Sequence, residues 1–188
     1  SFTGFARDLI GETPAIRSVQ LARDNVVSHI YPREGSPGIL GLRLPQDLPA
    51  DQAAAVDHVL ATGQPVLTGP VRLLQGGLGL IARAPVRMPG DGEDGHARPW
   101  GLATVIIDAE AFFHDADLTE ARGIRLAIRG DGALSDGKQM IFGDPALFAD
   151  RPVLAVVPVP GGTWELAAIP ASGRTRAPRG GLLAGAIG

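Results

Sequence analysis

The sequence contains no cysteine. This absence excludes a disulfide framework, a thiolate zinc site such as a zinc ribbon, and a cysteine nucleophile. Long hydrophobic runs are lacking as well, because none approaches the roughly 18 apolar residues that a membrane span needs. No signal peptide is recognisable after Ser1. We therefore expect the chain as given to fold as a soluble unit.

An excess of charge of one sign is also lacking. The formal net charge is -3, and the 17 Lys and Arg residues, nearly all of them Arg, are scattered along the chain. A nucleic-acid partner needs a basic face that replaces counterions, so we expect none here. With 188 residues the chain is long enough for one domain with a sizeable core.

Reactive motifs are absent or incomplete. The four histidines share no metal-like spacing, and the GxSxG motif of hydrolases does not occur. Residues Gly132 to Lys138 have the spacing of a phosphate loop, but Gln139 stands where a Ser or Thr must bind magnesium, and a strand-like run follows. A hairpin turn is the better interpretation. We therefore predict that the domain is not an enzyme and has no cofactor, catalytic residue or metal site.

The most distinctive stretch of the sequence runs from Ala61 to Val86. Two apolar runs, 66–74 and 79–86, flank Gly76 and Gly77, which is typical of adjacent antiparallel strands in the middle of a sheet. A helix is predicted just before them over 51–61. Asp51 is expected to cap this helix and Gly63 to end it, with an apolar stripe formed by Ala53, Val56, Val59 and Leu60.

The remaining elements are short and separated by tight turns. Helical spacing is found near the N-terminus, in the first 13 residues, and again over 109–117 and 145–148. Strand-like runs occupy 16–22, 26–31, 100–107, 124–129, 139–142, 153–159 and 164–169. Because strands outnumber helices and most neighbours are joined by turns, the pattern predicts an α+β fold with a mostly antiparallel sheet and helices to one side.

Several segments resemble one known family. The run TGQPVLTGPVRLLQ, then a glycine-containing break and an apolar run ending in Pro-Val, is similar to the signature of CHASE domains, the extracytoplasmic sensor modules of bacterial and plant membrane receptors. Further matching pieces follow the family's order and extend the resemblance over roughly Ile16 to Pro170: IRSVQLARDNVVSHIYPREG, LGLRL, WGLATVIID, FGDPALF and GGTWELAAIP. The resemblance implies a PAS-like, mostly antiparallel sheet with flanking helices in a single sensor domain.

The resemblance also implies a domain organisation. Residues 1–14 would end an N-terminal signalling helix, 15–170 would form the CHASE-like ligand-sensing domain, and 171–188 would be a juxtamembrane tail leading into a membrane helix. The alternative for the tail is a Gly- and Ala-rich terminus that packs on nothing. The expected protein is a homodimeric bacterial receptor, periplasmic or extracellular at this domain and anchored in the inner membrane by flanking transmembrane helices. Its output would be a histidine kinase, a diguanylate cyclase or a phosphodiesterase.

A ligand site follows from the same resemblance. Its pocket wall would include Leu67, Gly76, Ala82, Ala84 and Val105. Arg43 stands in LGLRL where the family commonly has Asp, so an anionic small molecule such as a carboxylate is a better hypothesis than a cytokinin. Two alternatives stay open. Arg43 could instead pair with Asp47 or extend to the surface, and the domain could be a dimerisation module that binds no ligand.

Overall fold

A computed structural model describes residues 1–34, 36, 38–73, 76–89, 97–118, 123–132 and 137–171. Within these residues the chain forms three α-helices, one 3₁₀ turn and nine strands. The helices are α1 (Phe2–Glu12), α2 (Ala50–Thr62) and α3 (Ala109–Asp115), and the 3₁₀ turn is Pro145–Ala149. None of the described helices is long and apolar enough to cross a membrane.

The strands form two antiparallel sheets. The first has five strands in the order β2-β1-β5-β4-β3, and the second has four in the order β7-β6-β9-β8. Their bounds are β1 Ile16–Arg23, β2 Val26–Tyr31, β3 Val66–Arg72, β4 Leu78–Met88, β5 Arg98–Asp108, β6 Ile124–Gly132, β7 Gln139–Phe142, β8 Val153–Val159 and β9 Gly162–Pro170. The predicted α+β class with mostly antiparallel strands is confirmed. The strands are divided between two sheets and do not join in one.

The first sheet is covered on both faces. On the face that we call inner, Val56 and Val59 of α2 pack with Val66 and Leu102. On the outer face, α1 packs on β1 through Ala6. Side chains alternate between the two faces along each strand. Each face is largely apolar because other elements pack on it and cover it.

The outer face also joins the two sheets. There Leu80 of β4 packs with Phe113 of α3 and with Ile128 of the second sheet. The same cluster includes Trp164 of β9. The two sheets therefore share an apolar core, which lies on the side of the first sheet opposite α2.

Three local predictions are wrong. Strand β3 lies at the edge of its sheet and not in the middle, and its register with β4 shifts between Thr68 and Val71. Pro70 lies in that interval and lacks the N–H that a central strand would need, which confines it to an edge. Helix α2 begins after Pro49 without a side-chain cap, so Asp51 does not cap it, although Gly63 ends it as predicted in the left-handed conformation.

The third error concerns the buried stripe of α2. Val56 and Val59 are buried as predicted, but the stripe is completed by Gln52 and Ala55, while Leu60 is 45% exposed. Residues 52, 55, 56 and 59 follow the three- and four-residue spacing of one helix face. A polar residue on that face is the reason that hydrophobicity alone misplaces it.

Gly101 allows β1 and β5 to approach closely. Its φ is 155°, and a Cβ built there would lie 1.8 Å from the carbonyl oxygen of Ala22. We expect Gly101→Ala to lower the free energy of unfolding by about 2–3 kcal/mol, measured by chemical denaturation. Gly11→Ala is the control, because Gly11 lies in α1 with open space around it and should gain up to about 1 kcal/mol. Equal stability of Gly101→Ala and the parent chain would contradict the close approach.

Candidate ligand-binding site

Buried polar side chains are concentrated on the inner face of the first sheet. Among the described residues, five polar side chains are buried: Ser18, Gln20, Gln52, Arg83 and Thr104. Four of them belong to strands β1, β4 and β5, and Gln52 belongs to α2, which covers this face. A face that is otherwise apolar therefore carries a cluster of hydrogen-bonding groups, which we call the polar band.

The strand register explains why the band forms. Gln20 pairs with Thr104, and Thr104 pairs with Arg83, so the three side chains form one row across β1, β5 and β4. Ser18 lies in the next row of the same face, and its hydroxyl accepts a hydrogen bond from Nε2 of Gln20 at 3.4 Å. The polar band is thus a product of pairing among three strands that are distant in sequence.

Arg83 is the charged member of the band. The residue is 4% exposed, and its Nε and Nη1 atoms make no hydrogen bond to any described residue. Burial lowers the pKa of the guanidinium to about 10, and the charge of Asp51 partly opposes that shift. The group is still a cation at neutral pH. An unpaired buried cation opposes folding, so this one requires an explanation.

A cleft of about 220 Å³ lies between the first turn of α2, the edge strand β3 and the second sheet. Its walls include Asp51, Gln52, Val66, Thr68, Ile141 and Trp164. Val66 is the cross-strand partner of Arg83, and Asp51 is the acid whose charge acts on that guanidinium. The cleft therefore meets the polar band at Gln52, whereas Arg83 lies behind Val66 and is not part of the cleft wall.

Four of the predicted pocket residues lie together on the outer face. Leu67, Ala82 and Val105 are cross-strand partners and form one row, and Ala84 lies two residues further along β4. Val105 packs in the cluster beneath α1. Of the four, Leu67 lines the cleft. These four residues therefore share one face of the sheet, the face opposite the polar band.

The other two predicted residues lie apart from this row. Gly76 is in the turn between β3 and β4, where its carbonyl accepts a hydrogen bond from Nη1 of Arg17 at 2.7 Å. Arg43 is exposed, and its guanidinium donates to the carboxylate of Asp47 at 2.8 and 3.1 Å. Hydrogen bonds from Arg43 hold the pKa of Asp47 below its usual range. Both alternatives for Arg43 hold, because its side chain extends to the surface and pairs there with Asp47.

Arg83 is not among the residues predicted from the sequence, although the sequence contains a signal for it. Arg83 interrupts the apolar run LGLIARAPV at a position that alternation assigns to the same face as Ile81. One cation inside a continuous apolar strand is either at an edge or buried for a purpose. Deciding between the two requires the position of β4 in the sheet, which is a tertiary property.

Comparison with known proteins identifies the family. The model of the CHASE domain matches residues 5–142, well over half of the 188 residues. The chain belongs to the CHASE-domain family. The resemblance in the sequence is thereby confirmed up to residue 142, whereas the late motifs FGDPALF and GGTWELAAIP, apart from Phe142, lie beyond the match. The chain is an extracytoplasmic sensor domain of a non-catalytic type. No curated protein matches it.

A solved structure supports the fold of this CHASE domain. The chain resembles an extracellular ligand binding receptor from Desulfohalobium retbaense DSM5692, with a TM-score of 0.60 and 15% sequence identity over 88% of its own length. It spans 32% of that receptor chain. At this identity the likeness is evidence for the fold alone. Residues 172–188, which include most of the predicted juxtamembrane tail, lie outside the described residues.

Replacing Arg83 tests whether its charge is unpaired. We expect Arg83→Met to raise the free energy of unfolding of the ligand-free domain by about 1–3 kcal/mol, because an apolar side chain of similar length removes a buried cation. The control is Arg129→Met, since Arg129 pairs with Glu165 and stacks on Phe148 at 4.0 Å. This variant should lose about 1 kcal/mol. A loss of stability in Arg83→Met would show that its guanidinium has a partner.

Proposed function

We propose that this CHASE domain is the small-ligand-sensing domain of a bacterial transmembrane receptor. The output module would be a histidine kinase, a diguanylate cyclase or a phosphodiesterase on the other side of the inner membrane. The observation that carries the proposal is the polar band with its unpaired Arg83, buried in the sheet beside an open cleft. Buried polar groups without partners are typical of sites that a ligand completes.

A shift in population between two packings of the first sheet against its helices would carry the signal. Helix α2 covers the polar band and α1 packs on the opposite face of the same sheet. A ligand between the sheet and α2 favours the packing that gives it more contacts, by as much as its affinity differs between the two packings. Any shift of β1 would then be felt by α1, the predicted end of the signalling helix.

Thermal unfolding with a small-molecule library tests this function. A ligand at a hundredfold excess over its Kd adds about 2.7 kcal/mol of stability. With a compound that stabilises the parent chain, we expect Thr104→Val on the inner face to reduce the shift and Ala84→Val on the outer face to retain it. The reverse result would favour the outer-face wall of Leu67, Ala82, Ala84 and Val105. A library that stabilises nothing would contradict ligand sensing.

A second candidate function is dimerisation, which the surface of β8 favours. This strand is the last of its sheet, so one edge has no partner strand among the described residues. It exposes apolar side chains on both faces: Val153, Leu154, Val156 and Val157 are 42–77% exposed. An apolar edge strand of this kind pairs readily with another chain. We propose that β8 contacts β8 of a second copy in a symmetric homodimer.

Sedimentation equilibrium tests this contact. We expect Val156→Lys to weaken the homodimer at least about tenfold, because a charge directly at a paired apolar edge opposes association. Leu40→Lys is the matched control. Leu40 is also apolar and 43% exposed, but it lies in the segment after β2 of the first sheet and not in β8. Equal weakening by both variants, or by neither, would contradict the β8 contact.

A further inference from the structure

We infer that the ligand of this domain is a small monocarboxylate whose carboxylate group binds Arg83. The inference rests on the proposed sensing function and adds to it the chemical class of the ligand and the residue that selects it. Arg83 belongs to a strand and not to a loop, so its Cα position is set by pairing with both Val66 and Thr104. A charge placed this way is held ready for its partner before the partner arrives.

Charge is the first argument. Arg83 is a buried cation, and the charge of Asp51 acts on it through space. A neutral ligand would leave that charge unpaired, whereas an anion would neutralise it in surroundings where the attraction is strong. The exposed carboxylate of Asp51 makes a doubly negative ligand unfavourable, because one nearby cation would face three negative charges. This favours a monocarboxylate over a phosphate.

Hydrogen-bonding capacity is the second argument. Nε carries one N–H and Nη1 carries two, so three of the five guanidinium donors are unused among the described residues. Charged oxygen acceptors such as carboxylates form stronger hydrogen bonds with such donors than neutral acceptors do. Thr104 and Gln20 extend the row of Arg83 with a hydroxyl and an amide, which supplies further donors and acceptors for the polar end of a ligand.

Size is the third argument. Ligand pockets for drug-sized molecules measure about 300–1,000 Å³, and the cleft beside the band measures about 220 Å³. It therefore suits a metabolite of a few carbon atoms. The wall has both characters that such a molecule needs, since Gln52 and Thr68 are polar while Val66 and Ile141 are apolar. The carboxylate would lie toward Arg83 and the short carbon chain toward the cleft.

Isothermal titration calorimetry with matched probes tests the inference. The probes are acetate, propionate, pyruvate and lactate, each compared with its neutral amide, and inorganic phosphate. We expect at least one monocarboxylate to bind and its amide to bind at least about 100-fold more weakly. We expect Arg83→Met to weaken binding of that carboxylate by a similar factor. Arg83→Gln serves as a second variant, and circular dichroism verifies that each variant is folded.

Two arginines provide matched controls. Arg87 is exposed on the same strand, and Arg43 is the anion anchor that the sequence predicts, now paired with Asp47. Arg87→Met and Arg43→Met each remove one positive charge. Each should change the Kd of the bound monocarboxylate by less than about threefold. Loss of binding in Arg43→Met but not in Arg83→Met would overturn the assignment to Arg83.

The outcomes separate this inference from the function on which it rests. Binding of a neutral library compound, unaffected by Arg83→Met and without response to any carboxylate, would overturn the inference and leave ligand sensing intact. Binding of phosphate in preference to every monocarboxylate would overturn the choice of ligand class. If no library compound and none of these probes binds, both the inference and the proposed sensing function are overturned. A carboxylate response lost in Arg83→Met and retained in Arg87→Met supports both.

Discussion

The pairing of β4 with β5 is the constraint on which the rest of this domain depends. The ladder extends from Gly79 opposite Asp108 to Met88 opposite Arg98. On the far side of β5, strand β1 pairs with the part of β5 from Gly101 to Ile107 and comes close at Gly101. Each face of this three-stranded centre has its own task, because alternation sends successive residues to opposite sides. A slip of one residue would exchange the two faces completely.

The inner face combines an apolar core with buried polar groups that oppose stability. Val66 and Leu102 build an apolar core with α2, while Arg83 and Thr104 place polar groups within the same layer. A domain selected for stability alone would have an aliphatic residue at position 83. Local violations of packing rules are concentrated at functional sites because binding requires groups that the free protein leaves unsatisfied. Arg83 is such a violation in the midst of a regular sheet.

The outer face has the different task of holding the elements together. It binds α1 through Ala6 and Val19, and it binds the second sheet through Leu80 and Ile128. A change in how the sheet meets α2 would therefore reach both α1 and the second sheet through side chains that are tightly packed. Packed interfaces of this kind switch between discrete arrangements and do not deform gradually. That property suits a sensor domain of the CHASE family.

The sequence by itself determined the elements and the family. Hydrophobic runs bounded by glycine and proline located each strand that the structure describes. The motifs around TGQPVLTGPVRLLQ identified a CHASE domain. Both signals depend on neighbours within a few residues. Alternation also grouped Ala82 and Ala84 on one face correctly. Periodicity shows which residues share a face of a strand. It does not show which helix or sheet packs on that face.

Tertiary structure alone decided the rest. The separation into two sheets, the edge position of β3 and the burial of Arg83 all depend on pairing between distant segments. Arg43 shows the same limit of prediction from sequence. Its chemistry suits an anion, yet a neighbouring acid four residues away, Asp47, engages it at the surface. Arg83 differs because strand pairing buries it where Nε and Nη1 have no hydrogen-bond partner among the described residues, and those surroundings are set by the sheet and not by the sequence.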